Sequence, residues 1–345
     1  MIAAVAFALV VSVPAEGYQG MDLHSHSYCS DGLKTPEALV RQAKDAGLDF
    51  FAVTDHESVR CLDRAQKEAD RQGIALIKGL EIGAEDNSVH IIVVGIDTSH
   101  PAIVRLGEKV AGDHIGRAKE WAVKLTMRGV PIDFRRDIAI PKLNFERKQE
   151  GRPSLGEEEL APMSDDDIAA QIQGAILRPD IAQALLARGH VSSIREAFDR
   201  YLSDESLNTF QSPSFREIID IAHGAGGLAF LAHPHTIFKF RTFPRSYSGK
   251  EYPDFETLLR DMLDAGLDGI EHYKPGMGSY PADSARIESF LKSYQAQTPR
   301  DVLLSAGSDY HGYDQGGIGP RHLGGITYPE SEARKVIKAL KLDRR

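Results

Sequence analysis

Histidines and carboxylates recur at the ends of short apolar runs along this chain. His24 and His26 stand two apart in MDLHSH, a spacing that puts both imidazoles on one face of an extended strand. Asp31 follows in the next loop. Asp55 and His56 close FFAVT, Glu81 lies near the end of ALIKGLEI, and His90 opens HIIVVGI. His233 closes GLAFLA, Glu271 and His272 follow LDGI, and Asp309 and His311 follow LLSAG. Singly, a strand-end His or Asp is ordinarily a helix cap or a satisfied polar group, and Asp31-Gly32 is ordinarily a turn. Independent polar residues would not gather at the ends of so many apolar runs. The set therefore reads as a polynuclear metal site at the C-terminal rim of a β/α framework, where such folds build their active sites. Its donors are imidazole and carboxylate without thiolate, which suits Zn, Mn or Fe better than an all-oxygen Ca or Mg site.

The elements that must position these donors follow from the hydrophobic pattern. Candidate strands are Met21–His26, Phe50–Thr54, Ala75–Ile82, Val89–Ile96, Gly227–Ala232, Gly269–Tyr273, Val302–Ala306 and a weaker Gly325–Tyr328. Amphipathic helical stretches alternate with them, the pattern of an α/β protein with parallel strands. Thr35-Pro36 starts a helix that Gly47 ends, and Ser193 with Glu196 and Ser214 with Glu217 have capping-box spacing. About 130 residues separate Ile96 from Gly227, far more than an ordinary connection. That stretch reads as helical around Asp113–Arg128, Asp165–Ala175, Pro179–Arg188 and Ser193–Leu202, with the charged, Pro- and Gly-containing segment Asp133–Pro162 as loop. Residues 21–111 and 212–345 are thus expected to form the β/α framework, and 112–211 an inserted helical subdomain.

Composition narrows the partners. The chain has 345 residues, 42% hydrophobic and 26% charged, with a net charge of −9. An acidic chain without clustered Lys and Arg is a poor binder of duplex DNA. The apolar run at residues 2–13 is too short to span a bilayer, so no stable membrane insertion is expected. Residues 1–20 read either as a signal peptide without its basic start or as a mis-called extension ahead of Met21. The expected compartment is the cytoplasm, with export as the alternative if that signal is genuine. Two cysteines, Cys29 and Cys61, make no disulfide framework and no thiolate zinc site. Cys29 reads as a small buried thiol. Of the 13 histidines, His100, His114, His190, His223 and His322 fit surface, helix or loop roles.

In this order the donors resemble the PHP (polymerase and histidinol phosphatase) family. The matching motifs are Asp22-Leu23-His24-Ser25-His26 with Ser30-Asp31-Gly32, Thr54-Asp55-His56, Gly79-Leu80-Glu81, His90, Ala232-His233-Pro234 and Ser308-Asp309-Tyr310-His311-Gly312. The resemblance implies a distorted seven-stranded β/α barrel, here with an inserted helical subdomain, and two or three divalent metal ions. It also implies a partition: His24, His26, Glu81 and Asp309 on one ion; Glu81, His90 and His233 on a second; Asp31, His56 and His311 on a third. Asp55 belongs to the catalytic set by orienting its neighbours. Arg117-Ala118, Arg178-Pro179-Asp180-Ile181-Ala182 and Ala197–Leu202 resemble the branch that removes the 3′-phosphate from nucleoside 3′,5′-bisphosphates, whose relatives also trim short RNA 5′ ends. That branch usually has His where this chain has Asp180, and a basic segment where it reads Ser203-Asp204-Glu205-Ser206.

The chemistry expected is hydrolysis of a small phosphorylated substrate, a nucleotide or short RNA, by water that divalent ions activate near neutral pH. No protein nucleophile is needed. Arg178 is the candidate phosphate clamp, because a guanidinium meets two phosphate oxygens at once. Lys274 and Asp180 are further substrate-side candidates. His235 and His272 are candidates to donate a proton to the leaving group. Two alternatives stand beside this one. One is a phosphatase for a histidinol-phosphate-like or sugar monoester, favoured by the acidic residues at 180 and 204. The other is a catalytically idle barrel serving as an interaction module, against which the intact donor set argues.

Overall fold

A computed structural model describes residues 20–85, 88–204, 212–273, 281–312, 322–327 and 329–342. Its strands are β1 (Met21–Asp22), β2 (Phe50–Val53), β3 (Ala75–Ala84), β4 (Val89–Val94), β5 (Leu228–Leu231), β6 (Arg245–Tyr247), β7 (Lys250–Tyr252), β8 (Gly269–Tyr273) and β9 (Leu303–Ala306). Seven of them form one sheet in the order β1-β2-β3-β4-β5-β8-β9, and β6 and β7 pair separately as a hairpin. The sheet closes on itself beyond the ends of β1 and β9. Leu23 N donates to Ala306 O (2.9 Å), Asp309 N to His24 O (2.8 Å) and His26 N to Tyr310 O (2.8 Å). The fold is the distorted seven-stranded barrel that the resemblance implies.

The barrel is not all parallel. β3 and β4 pair antiparallel, as do β4 and β5. Only Glu85–Ser88 join β3 to β4, too few residues for a parallel crossover. β1 keeps two ladder residues of the expected six, with Ser25 added as an isolated bridge to Tyr310. Gly325–Thr327 form no strand, and Tyr328 lies outside the described residues.

Alternate residues feed different cores, as pleating requires. Phe50 and Ala52 of β2, Ile92 and Val94 of β4, and Phe230 and Ala232 around β5 share one cluster. Their neighbours Ile91, Val93, Ala229 and Leu231 pack against the helices outside. Among these helices are α1 (Pro36–Asp45), capped by Thr35 as expected, and α2 (Leu62–Gln72).

The long β4–β5 connection carries its own core of residues from Ala118 to Leu202, with Trp121 fully buried. α3 (Pro101–Met127) runs through both: Ile103 and Leu106 pack with the barrel, Ala118 to Leu125 with the inserted helices. Asp133–Pro162, expected as loop, is largely helical. A π-helical turn at Phe134–Ala139 leads into α4 (Ile140–Gln149), and α5 (Glu157–Leu160) follows. Pro141 falls in the first turn of α4, directly after the π-helical turn, and Phe134, Ile138 and Leu143 turn inward while most of the charges face out. α6 (Asp165–Gln171), α7 (Arg178–Ala187) and α8 (Ile194–Ala197) complete the region. α9 (Phe215–Gly224), with its Ser214–Glu217 capping box, α10 (His235–Phe240), α11 (Phe255–Asp264), α12 (Pro281–Gln297) and α13 (Glu330–Ala339) surround the second half of the barrel.

Candidate metal centre

The donors meet at one rim because of strand direction. His24 and His26 follow β1, His56 follows β2, Glu81 lies near the end of β3, His233 follows β5 and Asp309 and His311 follow β9. His90 stands at the start of β4, and only the antiparallel course of that strand brings its beginning to the same rim, with His90 paired to Gly83. His90 shares its strand face with Ile92 and Val94 of the inner cluster.

Three groups of donor atoms lie within 4.8 Å of one another: His24, His26, Glu81 and Asp309; His56, Glu81 and His90; and His26, Asp31, His56 and His311. Glu81 is the centre. Its Oε2 stands 3.1 Å from His24 Nε2, 3.3 Å from His26 Nε2 and 3.2 Å from His56 Nδ1. Its Oε1 lies 2.9 Å from both His90 Nδ1 and His233 Nε2. Asp309 Oδ1 is 3.5 Å from the Nε2 atoms of His24 and His26. Asp31 faces His311 at 3.2 Å and His26 and His56 at 3.8 Å.

These residues fit divalent ions. Glu81 Oε2 and Asp31 Oδ1 are buried and accept no well-aligned hydrogen bond, although ring nitrogens converge on both. His24 Nε2 and His26 Nε2 face each other at 3.0 Å. Such an array of lone pairs calls for cations between them. The field agrees. Burial disfavours a proton on His24, but Glu81, Glu271 and Asp309 outweigh it and raise its pKa well above the usual value. Burial is likewise outweighed at His26, where Asp309 and Glu81 raise the pKa to about 9. At His56 burial prevails over Glu81 and Asp31 and lowers the pKa to about 4; at His233 burial also lowers it. Glu81 is held well below its usual value, against burial, by His24, His56 and His90. Metal ions compete with protons for these same nitrogens.

A shell of polar residues holds the donors. Asp55 accepts from Ser27 N and Ser27 Oγ at 2.6 Å and from Ser30 Oγ at 2.9 Å, fixing the loop that carries Asp31. Its carboxylate is spent on that loop, so Asp55 acts as a positioning residue. Asp22 accepts from His24 N, Ser308 N and Gly324 N. Glu271, counted among the strand-end donors but assigned to no ion, places Oε1 3.2 Å from His24 Nδ1 and accepts His233 N at 2.5 Å. Gly307 permits this, because a Cβ there would collide with Glu271 and His24. His233 and Glu57 sit at positive φ, 25° and 53°, a backbone cost of the kind concentrated at functional sites.

Other expected site residues fall elsewhere. His272 points away from the donors: its neighbour Glu271 faces inward, so His272 turns outward and meets Glu288 of α12 at 3.1 Å. Asp180 is engaged locally, accepting Leu177 N at 2.7 Å and standing 3.5 Å from the buried Lys142 Nζ. Asp204 pairs with Arg128 at 2.5 Å. His235 begins α10, its ring 6.4 Å from that of His233. Lys274, Glu205 and Ser206 lie outside the described residues.

Arg178 stands over the Phe198 ring with its centre 5.7 Å away and donates to Leu202 O at 3.5 Å. Burial, and then the charges of Arg117 and Arg241, lower its pKa to about 10. Asp31 and Glu57 act on it in the opposite sense. His114 is no surface residue: it is buried, with Nε2 2.7 Å from Glu57 Oε2 and Nδ1 against Arg117. Cys29 is no free thiol; it forms a disulfide with Cys61. A separation of 32 residues in sequence offered no signal for either pairing partner.

Comparison with known proteins places these features in context. The family model described as "PHP domain" matches residues 22–203. A 5′-3′ exoribonuclease of Haemophilus influenzae is 30% identical over 84% of this chain and 89% of its own length. A 3′,5′-nucleoside bisphosphate phosphatase of Chromobacterium violaceum is 27% identical over 86% of this chain and 89% of its own. A solved structure from Bifidobacterium adolescentis, described as a metal-dependent phosphoesterase, is 27% identical, with a TM-score of 0.65 over 95% of this chain and 98% of that one.

Proposed function

Because this chain belongs to the PHP domain family, we propose that it is a metal-dependent phosphatase of small phosphate monoesters. The substrate we assign is the 3′-phosphate of a nucleoside 3′,5′-bisphosphate, with trimming of short RNA 5′ ends as a related activity. The observation that carries this reading is the clustering of three donor groups, two of them sharing Glu81, with Asp31 of the third acting electrostatically on the buried guanidinium of Arg178. When bound, divalent ions such as Mn, Zn or Fe would activate water and neutralise the phosphate oxygens.

The chain's own residues do the rest. Glu81, Asp31, Asp309 and the six rim histidines hold the ions. Asp55 and Glu271 orient these ligands, since partners behind metal ligands set their angle and basicity. Arg178 meets substrate oxygens: a buried guanidinium among Arg117 and Arg241 is relieved by an anion. His235, beside His233, is placed to exchange a proton at the edge of the site.

The Haemophilus influenzae and Chromobacterium violaceum relatives are named for action on RNA and on nucleoside bisphosphates, which supports the nucleotide over a sugar or histidinol monoester. Asp180 and Asp204 no longer argue the other way, because Lys142 and Arg128 balance them. For the compartment, the Cys29–Cys61 disulfide supports the exported reading over the cytoplasmic one, since such bonds persist in oxidising surroundings. Among the described residues no helix is long and apolar enough to cross a membrane.

A phosphate-release screen with added Mn²⁺ tests the function. It compares adenosine 3′,5′-bisphosphate, 5′-mononucleotides, short RNA and histidinol phosphate. Turnover fastest on the bisphosphate and lost in His24→Ala is expected. No turnover of any monoester, with His24→Ala indistinguishable from the parent, overturns the reading.

A further inference from the structure

The three donor groups are not equally anchored. Glu81 and His90 lie within the β3–β4 ladder, so backbone hydrogen bonds on both strands fix them. Asp31 lies in the loop after His26, and His56 beyond the end of β2 with a single isolated bridge to Glu81. Both of these loop donors belong to the group His26, Asp31, His56 and His311. Cys29 stands two residues before Asp31, and Cys61 five after His56 at the threshold of α2. The disulfide joins the two loops, with Cα atoms 6.3 Å apart. Both sulfurs are buried and pack with Tyr28 and Phe145. Asp55 ties the same two segments at the other side of His56 through Ser27 and Ser30. His56 is thus bracketed by two ties to the Asp31 loop, one of hydrogen bonds and one covalent.

A loop that must order itself to bind an ion loses affinity to that ordering, and a cross-link removes much of the freedom beforehand. We propose that the Cys29–Cys61 disulfide is a positioning cross-link for the ion of the His26, Asp31, His56 and His311 group, and that breaking it releases this ion selectively. The proposal rests on the metal-binding reading above but concerns one ion rather than all. The bond opens by a two-electron step. A trialkylphosphine supplies the electrons, water supplies the oxygen of the phosphine oxide, and its protons leave on the two thiols.

Metal counting and thiol counting test it without recourse to activity. Parent protein purified without reductant, unfolded in guanidinium, should show no free thiol. Reconstituted with Mn²⁺ and desalted, it should hold one ion for each of the three groups. Equilibrium dialysis of Cys29→Ala/Cys61→Ala over a range of Mn²⁺ should leave two ions at parental affinity and weaken the third roughly 10–100-fold. Should the double variant fail to fold, the same dialysis is run on folded parent protein opened with the phosphine under argon. Two free thiols in untreated protein, an unchanged third affinity after the bond is opened, or loss of all ions together would each overturn the proposal. Fewer than two ions on the parent protein would instead overturn the metal reading, and this proposal with it. Three ions on parent and opened protein alike would leave that reading standing and remove only the cross-link's role.

Discussion

The barrel rim and the inserted helices both send charge to the site, and they do so differently. On the rim, nine donors crowd together, Glu81 and Asp31 among them, with nitrogen–oxygen distances of 2.9–3.8 Å. His26, His56 and Glu81 each serve two groups. The helical region instead contributes scattered side chains from three elements: Arg117 of α3, Lys142 and Glu146 of α4, and Arg178 of α7. Lys142 donates to Ser30 O at 2.7 Å, and Glu146 accepts Gln173 N and Gly174 N. The donors that share Glu81 behave as one unit, whereas residues reaching in from separate helices make separable contributions. The rim should therefore govern whether metal binds, and the insertion how substrate is held.

The sharpest way to break this contrast is at Glu81. Glu81→Ala removes the carboxylate that five imidazoles face, and should lower kcat/KM by about a thousandfold or more while metal content falls by more than one ion. A variant that keeps full metal, measured by plasma mass spectrometry, would dissolve the idea of a unit. Next comes Arg178→Ala, expected to lower kcat/KM about a hundredfold with metal content unchanged, and Arg178→Lys should recover only part because it loses the paired donors. Metal loss in either would place Arg178 with the rim. Glu271→Gln keeps the shape behind His24 but removes the charge; chelator competition should show metal held about tenfold more weakly. The smallest effect is at the seam. A Cβ on Gly174 would come within 2.6 Å of Tyr28 O, so Gly174→Ala should cost about 1–2 kcal/mol, read as a lower thermal midpoint with metal affinity little changed.

Much of the rim was legible because its logic is local. His24 and His26 share a face through the two-residue period of extended chain, and the same period explains why His272 had to leave the site once Glu271 faced it. Reading the adjacent pair as two site residues overlooked that alternation. The helical character of Asp133–Pro162 was hidden by its charges, most of which line the outside of a helix while Lys142 and Glu146 turn inward with its few apolar residues. Asp180 read as an acidic intruder in a phosphate pocket because Lys142, 38 positions earlier, gave no sign of standing beside it.

By itself the sequence determined the kinds of donor, the absence of thiolate among them, and the ends of the apolar runs that carry them. Those follow from residue type and from periodicities spanning a few residues. Tertiary structure alone decided the partnership of Glu57 with His114, the closure of β1 on β9 and the Cys29–Cys61 bond. Each depends on segments from 32 to nearly 290 residues apart meeting in space, and no local preference of the chain encodes which of them will meet.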